Sequence, residues 1–278
     1  MITGILVEIR YTEYILEALS FYQKRGGVEM YQTILYEEKE SIAYITFNRP
    51  EVGNAFSEDS FREITEALAQ ASQDAAVRAV VLTGKGKLFC GGGDIHQFKE
   101  VIEKDDGGIP EYLVEATGAM GRAIRNCSKP VIASINGAAA GAGMGVALAA
   151  DFRIMEKRSS LVTAFIGMGL PGDTGVLYFL QKMVGTALAT ELMMFSKPVK
   201  GEAAFDLGLA NKVVEDGTLE EETVAFAQKV ASLPTQMVSY QKELFNEFFY
   251  RDLEKFNHRE AQQMHLASLT DDHKEAVT

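Results

Sequence analysis

Two glycine-rich turns, each after a predicted strand, constrain the fold of this chain more than any other feature. The first is FCGGGDI at residues 89–95, and the second is NGAAAGAGMG at residues 136–145, which continues into an alanine-rich helix. Glycine lets a backbone approach a ligand closely because no Cβ intervenes. The N–H groups at a helix start lack intrahelical partners and can point at a carbonyl oxygen that becomes an oxyanion. Chemistry next to a thioester needs such donors most, because the enolate is the costly species.

Other glycine motifs fit these turns less well. The second turn places Gly141, Gly143 and Gly145 after a strand, as a dinucleotide fingerprint does. That fingerprint requires an acidic residue about 20 positions later, and Asp151 and Glu156 come too early. The GKGK run at residues 84–87 lacks the final Ser/Thr of a P-loop. A nicotinamide-dependent dehydrogenase is therefore disfavoured, although either turn taken alone is more often an ordinary loop.

The order of the predicted elements gives the fold class. Strands are predicted at residues 41–47, 79–83, 130–135 and 152–155, with helices at 58–72 and in a region ending near 125. From residue 175 the pattern is helical, in segments at 175–184, 187–195, 202–207, 219–232, 235–250 and 252–269. Strands alternating with helices, then helices alone, predict an α/β core and a C-terminal α-helical region. We expect an N-terminal extension over 1–29, a core over 30–195 and the helical region over 196–278.

Composition excludes several classes of function. The 278 residues carry a net charge of −12, which argues against nucleic-acid binding. Two cysteines and four histidines offer no disulfide framework or zinc spacing, so no metal is expected and a reducing cytoplasm is the natural location. The apolar stretches are too short to span a bilayer, so no membrane partner is expected. The first ten residues do not resemble a secretory signal.

Five motifs in order resemble the crotonase superfamily of enoyl-CoA hydratases and isomerases over residues 30–275. They are NRPEVGNA (48–55), FCGGGDI (89–95), KPVIA (129–133), the Asn-Gly pair at 136–137 and GLANKVV (208–214). The resemblance implies a ββα spiral core that binds acyl-CoA and late helices that build trimers, often paired into hexamers. It also implies a substrate carried as a coenzyme A or acyl-carrier-protein (ACP) thioester, with no prosthetic group.

The resemblance assigns the binding residues by position. The oxyanion N–H groups would belong to Gly93 and Ala142, where Ala142 replaces the usual glycine. CoA would lie along Gly91, Asp94, Ile95 and His96. His96 and Glu51 stand where relatives often carry lysine, so Lys99 and Lys242 are candidate phosphate contacts instead.

The same comparison of motifs bears on the reaction. A hydratase of this superfamily uses two glutamates, and their positions here hold Gly145 and Phe165. Neither side chain can carry a proton, so both become candidate substrate contacts and ordinary hydratase chemistry is hard to support. Asp173, in GLPGDTG (169–175), resembles the single carboxylate of enoyl-CoA isomerases. It would move a proton from C2 to C4 of a 3-enoyl thioester, and apolar neighbours would raise its pKa.

Alternatives stay open at this point. Asp173 before Thr-Gly and a helix is also a good helix N-cap. The same stretch resembles 4-chlorobenzoyl-CoA dehalogenase, which needs a histidine where this chain has Arg122. A hydratase with an unrecognised second carboxylate and a non-catalytic acyl-CoA-binding homologue are the remaining possibilities.

Several other side chains have ordinary structural interpretations. Phe245, Phe248, Phe249 and Phe256 are predicted to be core or subunit interface. Cys90 is predicted to be a small buried residue, and Glu111 and Glu115 are predicted to be solvated.

Overall fold

The computed structural model describes residues 31–97, 99–100 and 108–277. The predicted N-terminal extension, residues 1–29, lies outside the described residues. Thr33–Thr278 group into one compact unit, and the elements below all belong to it.

A six-stranded sheet forms the centre of this unit, in the order β1-β2-β3-β4-β6-β9. Its strands are β1 (Ile34–Lys39), β2 (Ile42–Phe47), β3 (Ala79–Gly84), β4 (Val131–Ile135), β6 (Phe152–Glu156) and β9 (Lys212–Val214). β1 pairs with β2 antiparallel, and the remaining pairs are parallel. All five residues of β4 are buried, as expected for a central parallel strand covered on both faces.

A second sheet has three short strands in the order β5-β7-β8. They are β5 (Ala138–Ala140), β7 (Ser160–Val162) and β8 (Val199–Lys200). β5 follows β4 after only two residues, so the chain passes directly from the first sheet into the second. Cys90 adds a parallel bridge to Ala139 of β5, which places the first glycine-rich turn beside this sheet.

Helices cover the sheets and form the last part of the chain. The named helices are α1 (Glu58–Gln73), α2 (Glu111–Asn126), α3 (Ala142–Ala149), α4 (Val176–Phe195), α5 (Gly201–Asp206), α6 (Leu219–Ala231), α7 (Thr235–Phe249), α8 (Leu253–Ser268) and α9 (Asp271–Val277). Short 3-10 turns occur at Pro50–Val52 and Ile166–Met168. α1 begins with a capping box between Ser57 and Ser60, followed by two acidic residues that favour a helix N-terminus. α6 packs its apolar side on β3, β4 and β6.

The predicted mixed α/β class with C-terminal helices is confirmed, with some differences in detail. Gly185 has φ +76° and interrupts α4 where the sequence predicts two helical segments. The region expected to be purely helical also contributes β8 and β9, so that expectation is wrong. These strands have two and three residues, too few to show a periodicity, and pairing with β7 and β6 alone defines them.

Within the described residues, none of the helices is long and apolar enough to cross a membrane.

Candidate active site

Two motif asparagines hold the loop that leads into the first glycine-rich turn. β3 ends at Gly84, and the side-chain amide of Asn54 donates to the carbonyl oxygens of Lys85 and Leu88 at 2.9 and 2.8 Å. Asn136, just after the neighbouring strand β4, donates to the carbonyl of Gly84 at 2.8 Å. Both turns therefore leave the carboxyl ends of adjacent parallel strands, and the amides fix their course.

The two turns are in direct contact. The Cys90 N–H donates to the carbonyl of Ala138 at 3.2 Å, and the Ala140 N–H donates to the carbonyl of Cys90 at 2.9 Å. A Cβ built on Gly143 would lie 2.6 Å from the Cβ of Cys90 and 2.8 Å from its carbonyl oxygen. Only glycine at 143 lets α3 approach the first turn this closely.

The N–H groups of Gly93 and Ala142 make no hydrogen bond to any of the residues that the structure describes. Ala142 is the first residue of α3, so its N–H lacks an intrahelical acceptor and lies at the positive end of the helix dipole. Its φ is not in the left-handed region, so the alanine is accommodated without backbone strain. Two uncommitted donors on contacting turns are the arrangement that an oxyanion requires.

The remaining residues of the first turn are either exposed to solvent or hydrogen-bonded within the protein. Gly91, Ile95 and His96 are exposed. Asp94 is buried, accepts from the Arg49 guanidinium at 2.7 Å and accepts from the His96 N–H at 3.0 Å. The Asp94 carboxylate therefore fixes the turn to the loop after β2, and its N–H donates to the carbonyl of Phe56 at 3.0 Å.

Phe165 occupies the wall between the second turn and the loop that carries Asp173. Its ring carbons lie 3.6 Å from a Cβ built on Gly141 and 3.8 Å from one built on Gly172. The side chain is only 5% exposed. An apolar ring at this point keeps polar groups and water away from the neighbouring backbone.

Asp173 lies between Gly172, which faces the Phe165 ring, and Thr174, which packs against Gly145 of the second turn. The Asp173 side chain is buried, and the Thr174 hydroxyl donates to its Oδ1 at 2.9 Å. Burial raises the pKa of Asp173 to about 6, and the Thr174 hydrogen bond opposes that rise. Burial raises the pKa of Cys90, and the Asp173 charge adds to that rise.

The alternative role of Asp173 as a helix N-cap is wrong. The N-cap residue of α4 is Gly175, and no side chain of the capping residue accepts from this helix. The Gly175 N–H donates instead to Glu260 Oε2 of α8, at 2.9 Å. The carboxylate of Asp173 therefore has no capping function at this helix start.

Thr174 fills the space beside Gly145. A Cβ on Gly145 would lie 2.6 Å from the Cβ of Thr174 and 2.7 Å from its Cγ2. Thr174 is buried and has φ +55°, an unusual backbone for a β-branched residue. The position where a hydratase would carry a glutamate therefore has no room for any side chain.

Glu260 is a half-buried residue with a buried carboxyl oxygen, and sequence reasoning missed it. Its Oε2 accepts from the Gly175 N–H and from the Asn257 side-chain amide at 3.1 Å, while its Oε1 is buried with no partner among the described residues. Burial raises the pKa of Glu260 to about 8, and the Asp173 charge adds to the rise. Glu260 lies in a polar helix without a motif, so only the packing of α8 against the start of α4 reveals it.

One predicted phosphate contact is wrong, because Lys242 is buried far from solvent. Its ammonium donates to Asp151 Oδ2 at 2.6 Å and to the carbonyls of Lys129 and Ile124. Asp151 also pairs with Arg125 at 2.9 Å. Lys242 therefore joins α7 to α2 and β4 and is not available for CoA. Lys99 is half-buried and stays a prediction.

Two further expectations are borne out in the described residues. Cys90 is fully buried, and burial raises the pKa of its thiol to about 12, so it is no nucleophile. Glu111 is exposed at the start of α2, and Glu115 pairs with the partly exposed His258 at 2.8 Å.

Among the described residues, no group of three His, Cys, Asp or Glu side chains is placed to hold a metal.

Comparison with known proteins gives the same result as the five motifs. The chain matches the enoyl-CoA hydratase/isomerase family profile over residues 37–278. A trans-2-decenoyl-[acyl-carrier-protein] isomerase from Streptococcus mutans is 30% identical over 89% of this chain and 94% of its own length. A probable enoyl-CoA hydratase from Rhodobacter capsulatus is 37% identical over 78% of this chain and 82% of its own.

Solved structures agree with this result. An enoyl-CoA hydratase/isomerase from Mycobacterium paratuberculosis superposes with a TM-score of 0.83 at 25% identity, covering 90% of this chain and 99% of that one. The chain therefore belongs to the enoyl-CoA hydratase/isomerase family and has the crotonase fold.

Proposed function

We propose that this enzyme is an isomerase that moves the double bond of a 3-enoyl thioester to the 2-position. The observation that carries the proposal is Asp173, a buried carboxylate beside both turns with a pKa of about 6. A base with a pKa slightly below neutral is ionised at pH 7 and still accepts a proton readily. The same group can then return that proton as an acid.

The chemistry requires one base and one site for negative charge. Asp173 takes a proton from C2, and the electron pair moves into the thioester carbonyl to form a dienolate. The N–H groups of Gly93 and Ala142 hold the oxygen of that dienolate, each contributing about 2.7–4 kcal/mol. Asp173 then delivers its proton to C4, which leaves the double bond between C2 and C3 and restores the ionised base.

The space around Gly145 supports isomerisation over ordinary hydration. Thr174 occupies the place of the first hydratase glutamate, and Phe165 stands in place of the second. Without these groups a water molecule has no pair of carboxylates to position it. The Streptococcus mutans relative, whose name describes an isomerase of decenoyl-ACP, adds support from a similar sequence.

The substrate side of the proposal follows from the exposed first turn. CoA, or the pantetheine arm of ACP, would run along Gly91, Ile95 and His96 and contact the Asp94 backbone. Phe165 and Gly145 would border the acyl group beside Asp173. The substrate itself brings the thioester, so the proposed reaction uses no prosthetic group.

Hydration is the second candidate, and Glu260 is the observation that favours it. Glu260 and Asp173 are two buried carboxyl groups close enough for the charge of one to raise the pKa of the other. A carboxyl pair is the requirement that the sequence left unmet for a hydratase, and the Rhodobacter capsulatus relative is named as a probable hydratase. Turnover of crotonyl-CoA to a hydroxyacyl-CoA would favour this candidate over isomerisation.

Asp173→Asn tests the proposed base. Asparagine keeps an oxygen to accept from Thr174 but cannot take a proton, so we expect kcat for a 3-enoyl-CoA to fall about 10²–10⁴-fold. The measurement is the formation of the conjugated 2-enoyl thioester, with crotonyl-CoA hydration assayed in parallel. Undiminished isomerisation by the variant would remove Asp173 from the mechanism.

Glu111→Gln is the matched control. It makes the same carboxylate-to-amide change at an exposed position at the start of α2. We expect its kcat to equal that of the unaltered enzyme, which separates loss of the base from a general loss of charge.

The assembly and the location belong to the same proposal. α7 presents a row of apolar side chains that are half exposed or more: Met237, Tyr240, Leu244, Phe245, Phe248 and Phe249. We propose that this side of α7 is covered in a homotrimer or a hexamer. A cytoplasmic location is consistent with the two free, buried cysteines.

A further inference from the structure

We propose that Glu260 is a positioning residue that carries the single proton of a two-carboxyl pair, which leaves Asp173 as the ionised partner. This inference rests on the proposed role of Asp173 as the base. It assigns a function to a side chain on α8 that belongs to none of the family motifs found in the sequence.

The first step is the geometry that connects the two carboxyl groups. Glu260 Oε2 accepts from the Gly175 N–H at 2.9 Å, and Gly175 is two residues after Asp173. Glu260 therefore holds the end of the short turn Asp173-Thr174-Gly175 from the side of α8. Thr174 holds the other side of this turn, because its hydroxyl donates to Asp173 Oδ1 at 2.9 Å.

The charges around Glu260 determine whether both carboxyl groups can ionise. No cation among the described residues lies within ion-pair distance of Asp173 or Glu260. Arg122 of α2 comes nearest through Asn257, whose amide oxygen accepts from Arg122 at 3.0 Å while its amide nitrogen donates to Glu260 at 3.1 Å. His258, on the same helix, is engaged with Glu115.

The next step is the location of the proton. Two neighbouring carboxyl groups held away from water, neither of which forms a direct ion pair among the described residues, disfavour ionisation of both at neutral pH, and we place one proton on the pair. Both carboxyl groups accept hydrogen bonds that favour their ionised forms, one at Asp173 and two at Glu260, so these bonds alone do not locate the proton. Glu260 Oε1 is buried and lacks any partner among the described residues, and an unpaired oxygen costs less when its group is neutral. Burial sets the pKa of Glu260 at about 8 and that of Asp173 at about 6.

The functional consequence is a working pH window for the base. Between the two pKa values Asp173 is ionised and Glu260 is neutral. The base is then available, and the neutral carboxyl group of Glu260 accepts the hydrogen bond from the Gly175 N–H. If Glu260 held the charge instead, Asp173 would keep the proton and could not take one from the substrate. Glu260 acts through Asp173 and the turn, without touching the substrate.

Glu260→Gln and Asp173→Asn together test this inference without needing turnover. We expect infrared spectra to show the C=O stretch of a protonated carboxyl that disappears with a midpoint near pH 8 in the unaltered enzyme. Above about pH 7, where Asp173 is ionised, the band should be absent in Glu260→Gln. In Asp173→Asn it should titrate at a lower pH, because the like charge is gone. A band that persists above about pH 7 in Glu260→Gln, or a midpoint unchanged in Asp173→Asn, would overturn the proposal.

The pH dependence of Tm gives a second test, because a simple folding defect would lower Tm by the same amount at every pH. The ordinary pKa of Glu260 is 4.5. In the unaltered protein, Glu260 therefore destabilises the native state relative to the unfolded state by an amount that grows as pH rises from about 4.5 to 8. The Tm of Glu260→Gln minus that of the unaltered enzyme should rise over this range and then level off. Glu260→Ala also removes the acceptor for Gly175, so we expect its Tm to be lower than that of Glu260→Gln at every pH. A constant difference for Glu260→Gln would mean a purely structural contact.

Kinetics connects the pair to the reaction. The acidic limb of kcat/KM for isomerisation should stay near pH 6 in Glu260→Gln, because neutral Glu260 adds no charge to Asp173 in that range. A limb that moves by a unit or more would refute the assigned proton location. If Asp173→Asn retained full activity, the proposed function would fail while the spectroscopic titrations still decided where the proton lies.

Discussion

At the scale of single residues, burial and one hydroxyl determine how Asp173 behaves. Removal from water disfavours the carboxylate, while the Thr174 hydroxyl stabilises it. Thr174 performs this task in a left-handed backbone conformation, and the same side chain fills the space beside Gly145. One residue therefore both occupies the position of a hydratase glutamate and hydrogen-bonds the remaining base.

Thr174→Val is expected to raise the pKa of Asp173 above about 6. Valine preserves the shape but removes the donor, and a hydrogen bond to a charged group contributes about 1.5–3 kcal/mol, or about one to two pKa units. Asp173 must be ionised to act, so activity rises with pH through its pKa, and the acidic limb of kcat/KM should move to higher pH. An unchanged limb would show that Thr174 does not tune the base. Thr174→Ser, which keeps the hydroxyl, is the control.

At the scale of elements, the contact between the first turn and α3 sets where the two free N–H groups lie. All eight residues of α3 are buried, and its glycines and alanines let it pack against Cys90 on one side and Thr174 on another. A helix with larger side chains at these positions would stand further from both.

Gly143→Ala is expected to separate the two turns. The added methyl would lie 2.6 Å from the Cβ of Cys90, and both neighbours are backbone-anchored, so α3 must shift. Displacing one oxyanion donor costs about 10²–10³-fold in kcat. Isomerase kinetics would measure the loss, and chemical denaturation would give the accompanying overpacking penalty of about 1–3 kcal/mol. A variant with normal kcat would show that the contact does not position the donors.

At the scale of the whole molecule, the aromatic side chains of α7 and α8 lie in two different environments. Phe256 is half-buried and packs against Tyr178 of the same chain, with ring centroids 5.3 Å apart. Phe248 is 63% exposed on α7, with its apolar neighbours along the same helix. Apolar rows of this kind on a protein surface mark subunit interfaces.

The double variant Leu244→Lys with Phe248→Lys is expected to dissociate the oligomer. Two charges placed on the apolar side of α7 cannot be buried without partners, so association should be lost. Sedimentation equilibrium should give three or six chains for the unaltered protein and one for the variant. Glu221→Lys, an exposed charge change on α6, should leave the assembly intact. A monomeric unaltered protein would contradict the proposed interface.

The sequence determined four strands of the central sheet (β2, β3, β4 and β6), the two glycine-rich turns and the family, because these depend on local backbone requirements. Glycine at 141 and 143, proline at 130 and asparagine at 54 and 136 each satisfy a constraint that is visible over a few residues. The identity of Asp173 as a candidate base also came from its position within a motif. The tertiary structure decided the rest, because it depends on contacts between residues distant in the chain.

Packing of α7 committed Lys242 to Asp151 and removed it from the CoA site. Packing of α8 brought Glu260 to the start of α4, where it displaced Asp173 from the capping role suggested by local sequence. The charge of a buried carboxyl group depends on its neighbours in space. Gly175, which donates to Glu260, lies 85 residues before it in the chain. For that reason the sequence by itself determined the scaffold of this site, and only the fold decided which carboxyl groups lie beside it and how they are hydrogen-bonded.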